Sequence, residues 1–343
     1  HDGPSQQESA AMTAVTLRPV ARHAGRDIHE ATLSSAGAEV SLLSWGGALR
    51  DWRTPDGTPM TLGFDTFAPY PEHSRAFGAL CGRVANRIEG ARFTVAGREA
   101  RLTPNEGPNL LHGGAFGFGI RPWDMEIDAA AGSVRLSLQS PEGEGGWPGA
   151  LDTEVIVTLT GARLSMQITA TPDRETPVNI AQHSYWNLDG GGDVLGHRLR
   201  IDADAWTPTD AAMIPTGEIR PVAGGLMDFR GLRGLIGADG APLRLDHNMA
   251  LRAGRDMDAP AAEVIGASGR TLRLWTDRPG VQVYDAPGLD VAVPGLDGRR
   301  YGAYAGLCLE PQGFPDAVNQ PGFPSILHGP DRPYRQFWAV EIA

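Results

Sequence analysis

Cysteine is nearly missing from this chain. Its 343 residues hold two, Cys81 and Cys308, too few for a disulfide framework. Two buried thiols are the expectation, and their positions leave open whether they lie close enough to pair. Long apolar runs are missing too. None approaches the roughly 18 residues of a membrane helix, so no helical span and no membrane partner is expected. Positive charge is in deficit: 30 Lys and Arg stand against 41 Asp and Glu, for a formal net charge of −11. That is the wrong sign for nucleic acid or an anionic lipid surface, and it is compatible with a neutral ligand. Metal-ligand spacings are absent: there is no His-x-x-x-His, no Cys-x-x-Cys and no calcium loop. No metal is therefore expected. Neither a Gly-x-Ser-x-Gly elbow nor a phosphate-cradling loop occurs. Gly190-Gly191-Gly192 lacks the dinucleotide fingerprint.

Helical periodicity is also scarce. At most a turn or two is expected between Phe64 and Phe77, and residues 211–240, rich in turn formers, read as a long loop. What the chain has is glycine (45) and proline (27) at short, repeated intervals, the punctuation of many short strands. Residues 38–43 and 133–138 alternate polar and apolar, or nearly so. Residues 154–159 and 164–169 flank Gly161 as a hairpin, and 92–95 with 98–102 flank Ala96-Gly97 as another. Residues 271–275 and 281–284 lie on either side of an Asp277-Arg278-Pro279-Gly280 turn, and 336–342 closes the chain as a strand. Many strands with turns between them imply a sandwich. No linker or fixed-period repeat divides them, so 12–343 reads as one domain. Residues 1–11 are polar, unlike a secretory signal, and read as a tail or expression remnant before a native start at Met12. The cytoplasm is the expected compartment, with a trimmed periplasmic or secreted form as the competing account.

Five segments carry chemistry-bearing residues in punctuated loops. Leu309-Glu310-Pro311-Gln312-Gly313-Phe314-Pro315-Asp316 places a carboxylate at the end of an apolar run, held by stiff backbone. A general base or a sugar site needs that. Gln182-His183-Ser184-Tyr185-Trp186-Asn187 offers an imidazole that titrates near neutrality beside flat aromatic faces; a core histidine is the plainer account. Asn105-Glu106-Gly107-Pro108-Asn109-Leu110-Leu111-His112-Gly113-Gly114 holds His112 on a constrained loop, where glycines let a ligand approach the backbone. Gly82-Arg83-Val84-Ala85-Asn86-Arg87 supplies a guanidinium fork, alternatively a structural ion pair. Leu245-Asp246-His247-Asn248 can bind vicinal hydroxyls or form a simple Asx turn.

Together these segments resemble the aldose 1-epimerase, or galactose mutarotase, family. Its pattern runs through Gly-Arg-x-x-Asn-Arg-Ile, Asn-x-Gly-x-Asn-x-Leu-His-Gly-Gly, His-x-Tyr-Phe/Trp-Asn-Leu, Asp-His-Asn, Pro-Gly-Val-Gln-x-Tyr and Leu-Glu-x-Gln-x-Phe-Pro-Asp-x-x-Asn. All six occur here in order between Gly82 and Asn319. The resemblance implies an all-β fold, a large antiparallel β-sandwich (a supersandwich), and cofactor-independent interconversion of the anomers of a free monosaccharide. It also implies site roles. Glu310 is the expected general base and His183 the general acid, with His112 positioning the sugar. Arg87, Asp246 and Gln282 bind hydroxyls, and Asn86 and Tyr185 make supporting contacts. Glu310 is expected to be ionised and His183 protonated, facing each other across one pyranose ring. Gln182, Pro311 and the segment Asp285-Ala286-Pro287-Gly288 depart from the family pattern and are expected at the cleft edge.

Three other activities stay open on the sequence: a hexose-phosphate 1-epimerase, with Arg83 or Arg244 taking the phosphate; a non-catalytic sugar-binding protein; and a glycosidase using Glu310 and Asp246 as its carboxylate pair. Monomer and homodimer are both compatible with the chain.

Overall fold

Alternation of apolar and polar residues makes strands here because each sheet has one face on a shared core. The computed structural model describes residues 13–74 and 76–343. The expectations for residues 1–11 and for Met12 lie outside them. Three antiparallel sheets carry the architecture. The largest has nine strands. Its centre is Leu151–Thr160, Arg163–Pro172, the C-terminal strand Tyr334–Ile342 and Thr271–Thr276, paired in that order. A six-stranded sheet runs Tyr185–Trp186, Leu307–Gln312, Gly280–Tyr284, Asp246–Leu251, Ala203–Thr207 and Arg220–Pro221. A four-stranded meander, Ala14–His23, Arg26–Ser34, Glu39–Leu43 and Ala48–Arg53, opens the described chain. One apolar cluster draws on all three: Leu33, Val40 and Leu42 from the meander, Val155, Ile168 and Trp338 from the large sheet, and Met249, Val281, Val283, Leu307 and Leu309 from the six-stranded one.

That inventory contains the reason a site forms. In the six-stranded sheet the odd positions 281, 283, 307 and 309 face the core. Period-two geometry then turns Gln282, Tyr284, Cys308 and Glu310 to the other face. Tyr185 and Cys308 on that face pack with Ile28, Leu43 and Ala48 of the meander and with loop residues such as Phe77 and Leu289, and all six residues of Leu307–Gln312 are buried. A strand buried on both faces reads as a continuous run rather than an alternation, which is why its polar members stand out in the sequence.

The expected hairpins 154–159/164–169 and 92–95/98–102 form, in register, as Leu151–Thr160/Arg163–Pro172 and Arg92–Val95/Arg98–Arg101. The turn at 277–280 differs. The strands on its two sides belong to different sheets, Thr271–Thr276 to the nine-stranded and Gly280–Tyr284 to the six-stranded, so it crosses the sandwich and closes no hairpin. Helix is limited to Tyr70–His73 and short 3-10 turns among the described residues. Residues 211–240 hold two-residue strands at Arg220–Pro221 and Arg233–Gly234 and otherwise run as turns.

Candidate active site

This polar face of the six-stranded sheet opens into a cleft of about 400 Å³. Seven of the eight residues expected from the sequence line it: Asn86, Arg87, His112, His183, Tyr185, Asp246 and Glu310. Gln282 stands just behind, its Nε2 donating to Asp246 Oδ1 at 2.6 Å. The cross-strand register puts Gln282 opposite Glu310 and Asp246 opposite Tyr284, so residues remote in sequence become neighbours on one sheet.

His183 ends the short strand Ala181–His183, which pairs with Ala79–Cys81. Its Nε2 lies 3.6 Å from Glu310 Oε2 and its Nδ1 lies 3.7 Å from Cys308 Sγ. The Tyr185 ring packs below, 5.1 Å between centroids. His183 and Glu310 are only 5% and 2% exposed, and Glu310 Oε2 makes no hydrogen bond. Burial pushes the Glu310 carboxyl well above its usual range, aided by the Asp246 carboxylate and opposed by Arg87. Burial pushes His183 down to about 4. The separation would suit an ion pair, but with both groups buried and Glu310 Oε2 without a hydrogen-bond partner, their attraction does not recover the desolvation cost. The resting pair is therefore neutral, with the proton on Glu310. This corrects the expected ionised Glu310 and protonated His183. It also corrects the expected ring-wide gap: the two groups stand side by side, too close for a pyranose between them. The cause is the lateral approach of strand Ala181–His183 to Leu307–Gln312.

His112 sits in the left-handed region at φ 50°, as does Asn86 at 62°. Two backbone-anchored bonds hold them together: the Asn86 amide donates to His112 Nδ1 at 3.2 Å, and the His112 amide to the Asn86 carbonyl at 3.0 Å. An Nδ1 that accepts carries no proton. Burial, then the neighbouring His183 and Arg87, hold His112 well below its usual pKa. The neutral ring therefore carries its hydrogen on Nε2. Asn86 Oδ1 accepts from the Arg87 amide at 2.9 Å.

Arg87 is half spent inside the protein. Its Nε and Nη2 fork onto Glu106 at 2.6 and 2.8 Å, while Nη1 faces Asp246 Oδ2 at 4.0 Å. Burial raises the Asp246 carboxyl, with Arg87 and Gln282 pulling the other way. Glu106, Tyr284 and Leu289 also line the cleft, and none was singled out from the sequence. Two of them carried a signal. Tyr284 is two residues past Gln282 on one strand, hence on the same face, and Glu106 lies inside the His112 segment. Cys308, two residues before Glu310, was open to the same argument. Leu289 comes from an irregular loop and carried none.

Arg83 is not in the cleft. It is 1% exposed and donates to Ser140 Oγ and the carbonyls of Ser140, Pro148 and Gly149, with burial lowering its pKa to about 10. Arg244 is exposed and does not line the cleft. The family departures correct similarly. Gln182 is fully buried, bonding Gly78 O and Ser184. Pro311 faces inward, its carbonyl taking Gln336 Nε2. Asp285 is fully buried. Only Gly288 of these positions borders the cleft. Both cysteines are buried free thiols.

No helix among the described residues is long and apolar enough to cross a membrane. The family model for aldose 1-epimerase matches residues 29–339. Galactose mutarotase of Rattus norvegicus is 39% identical over 328 residues, covering 90% of this chain and 92% of that protein. Aldose 1-epimerase of Escherichia coli K12 is 35% identical over 304 residues, covering 85% and 87%. Among solved structures, an aldose epimerase homologue from C. elegans superposes with a TM-score of 0.84 at 30% identity, covering 90% of this chain and 96% of that one. A galactose 1-epimerase from Lactobacillus acidophilus superposes at 0.83 with 25% identity, covering 96% and 99%. With the fold, the cleft and the ordered motifs all in agreement, this chain belongs to the aldose 1-epimerase family of isomerases.

Proposed function

We propose that this chain interconverts the α and β anomers of free aldohexoses, with Glu310 and His183 as a proton-exchanging pair. The observation that supports this most is the 3.6 Å separation of their reacting atoms at the cleft wall. The two oxygens that must trade protons, the anomeric hydroxyl and the ring oxygen, are bonded to one carbon. A base and an acid standing together on one side can serve both.

The neutral resting pair and the carboxylate–imidazolium pair differ only by the position of one proton. Transfer from the Glu310 carboxyl to His183 Nε2 prepares the reactive form. Glu310 then takes the proton of the anomeric hydroxyl while the imidazolium gives its proton to the ring oxygen. The bond between the anomeric carbon and the ring oxygen breaks and leaves an aldehyde. Rotation about the adjacent carbon–carbon bond presents the other carbonyl face, and closure runs both transfers backwards. Each positioned proton carrier contributes roughly 10²–10⁴ in rate.

His112 offers its Nε2 hydrogen to the sugar. Arg87 Nη1 and the Asp246 carboxylate, with Gln282 behind it, hold hydroxyls and orient the ring; Asn86 sets the His112–Arg87 geometry and Tyr185 supports His183 from below. A phosphorylated sugar fits poorly. Among the described residues the one guanidinium on the cleft wall is paired to Glu106, and the Asp246 carboxylate would repel a dianion. Asp246 and Glu310 lie on the same face of one sheet rather than flanking a space, unlike a glycosidase pair.

Polarimetry on freshly dissolved α-galactose and α-glucose, beside glucose 6-phosphate and an aryl glycoside, tests the reading. Faster equilibration of the free sugars than in buffer is expected. No acceleration of any free aldose, or hydrolysis of the glycoside, would overturn it.

A further inference from the structure

Cys308 has no part in the reaction above, yet it completes a donor set. Cys308 and Glu310 are two residues apart on one strand and so share a face, and His183 leans over both from its own strand. One imidazole nitrogen, the sulfur and a carboxylate oxygen all lie within 4.8 Å of one another. We propose that this cluster binds a zinc-class divalent cation at the cleft floor, and that its occupancy switches the site off.

Three observations support this. First, imidazole, thiolate and carboxylate are the donors zinc takes, at about 2.0–2.3 Å each, which places donors on a shared tetrahedral ion roughly 3.3–3.6 Å apart. The Cys308 Sγ to His183 Nδ1 separation, 3.7 Å, is already close to that. The carboxylate needs only a small side-chain swing. Second, Glu310 Oε2 is buried without a hydrogen-bond partner, so an unused acceptor already points into the cluster. Third, His183 and Glu310 border the open cleft, which gives an ion an entry path and leaves its fourth position for water. Binding expels the thiol proton and the Glu310 proton to solvent. No electron moves.

A cation held there occupies the Glu310 carboxylate that the proton exchange requires and, through Nδ1, fixes the His183 ring beside it. The inhibitory half of the proposal rests on the proposed roles of Glu310 and His183; the binding half does not. Spacing could not have revealed the site, because its ligands come from positions 183, 308 and 310 rather than from a local motif.

Cobalt(II) titration of chelator-treated protein separates the halves. One equivalent is expected to bind with thiolate-to-cobalt charge-transfer absorption and the visible bands of a tetrahedral ion, displaced by zinc. Zinc should slow mutarotation in competition with galactose, and EDTA should restore it. Partners around a metal site are themselves worth about 10–100-fold in affinity, so losing a ligand in Cys308→Ala should abolish the charge-transfer band and weaken zinc inhibition at least about tenfold. If Cys308→Ala does not fold, galactose protection of the wild-type cobalt spectrum serves instead. Absence of the charge-transfer band, or a band untouched by galactose, overturns the site. A full band with an undiminished rate keeps the metal site and overturns the proton-exchange roles.

Discussion

A carboxyl and an imidazole that are both nearly fully buried resist charge, and that resistance makes them a matched pair. His183 is depressed to about 4 by burial. Its contribution to stability is therefore present above the unfolded histidine value of about 6.5 and lost as pH falls through about 4. Glu310 is raised by burial, so its contribution is present below the unfolded carboxyl value and lost as pH rises through its folded one. Between the two limits the pair holds one mobile proton. The plot of kcat/KM against pH should accordingly be a bell. Its acid limb should lie near 4, where His183 gains a second proton, and its alkaline limb above the ordinary carboxylate range. An acid limb at the unperturbed histidine value would contradict the assignment. Glu106 acts at the same scale but by positioning. Glu106→Gln removes the charged half of the fork on Arg87. Bonds to charged groups are worth about 1.5–3 kcal/mol, discounted here because the Glu106 side chain is 39% exposed. A KM several-fold higher with kcat changed less is expected from steady-state kinetics; a loss confined to kcat would assign Glu106 a different part.

At the scale of elements, the account depends on strands that face the core with one edge of their alternation and the cleft with the other. That was legible in residues 281–284 and 307–310, where apolar and functional side chains take turns, and the six motifs in order located seven of the eight named residues on the cleft. What could not be read was pairing. The turn at 277–280 looks local but spans two sheets, because no local cue distinguishes a hairpin from a crossover. Nor could distance be read: that His183 and Glu310 nearly touch depends on strand Ala181–His183 lying beside Leu307–Gln312. The ionisation states were misjudged for a related reason, since burial from both sides is a tertiary property. Arg83 shows the same limit from another direction. Its place in the Gly82–Arg87 segment offered it as a ligand group, whereas its guanidinium ties the segment that follows strand Ala79–Cys81 to Ser140 and Gly149. Arg83→Met leaves those buried carbonyls without donors, and an unsatisfied buried polar group costs about 1–3 kcal/mol. Denaturant unfolding should show a loss of at least that size. A variant as stable as the parent would mean that water replaces the guanidinium.

At the scale of the whole molecule, a net charge of −11 and a cleft in which, among the described residues, acidic groups outnumber the one free-facing guanidinium edge select against anionic sugars. Glucose 6-phosphate should have a kcat/KM at least about tenfold below that of glucose, a difference that shrinks as salt screens the field. Equal values would show that charge does not govern selection. The central claim is more direct, and one comparison reaches it: polarimetric mutarotation of α-galactose by the parent protein and by Glu310→Gln, with thermal melting of both. The account predicts a rate lower by roughly 10²–10⁴ in a protein that melts no earlier, since the amide buries no titratable proton. A Glu310→Gln protein that keeps most of the parent rate would contradict it.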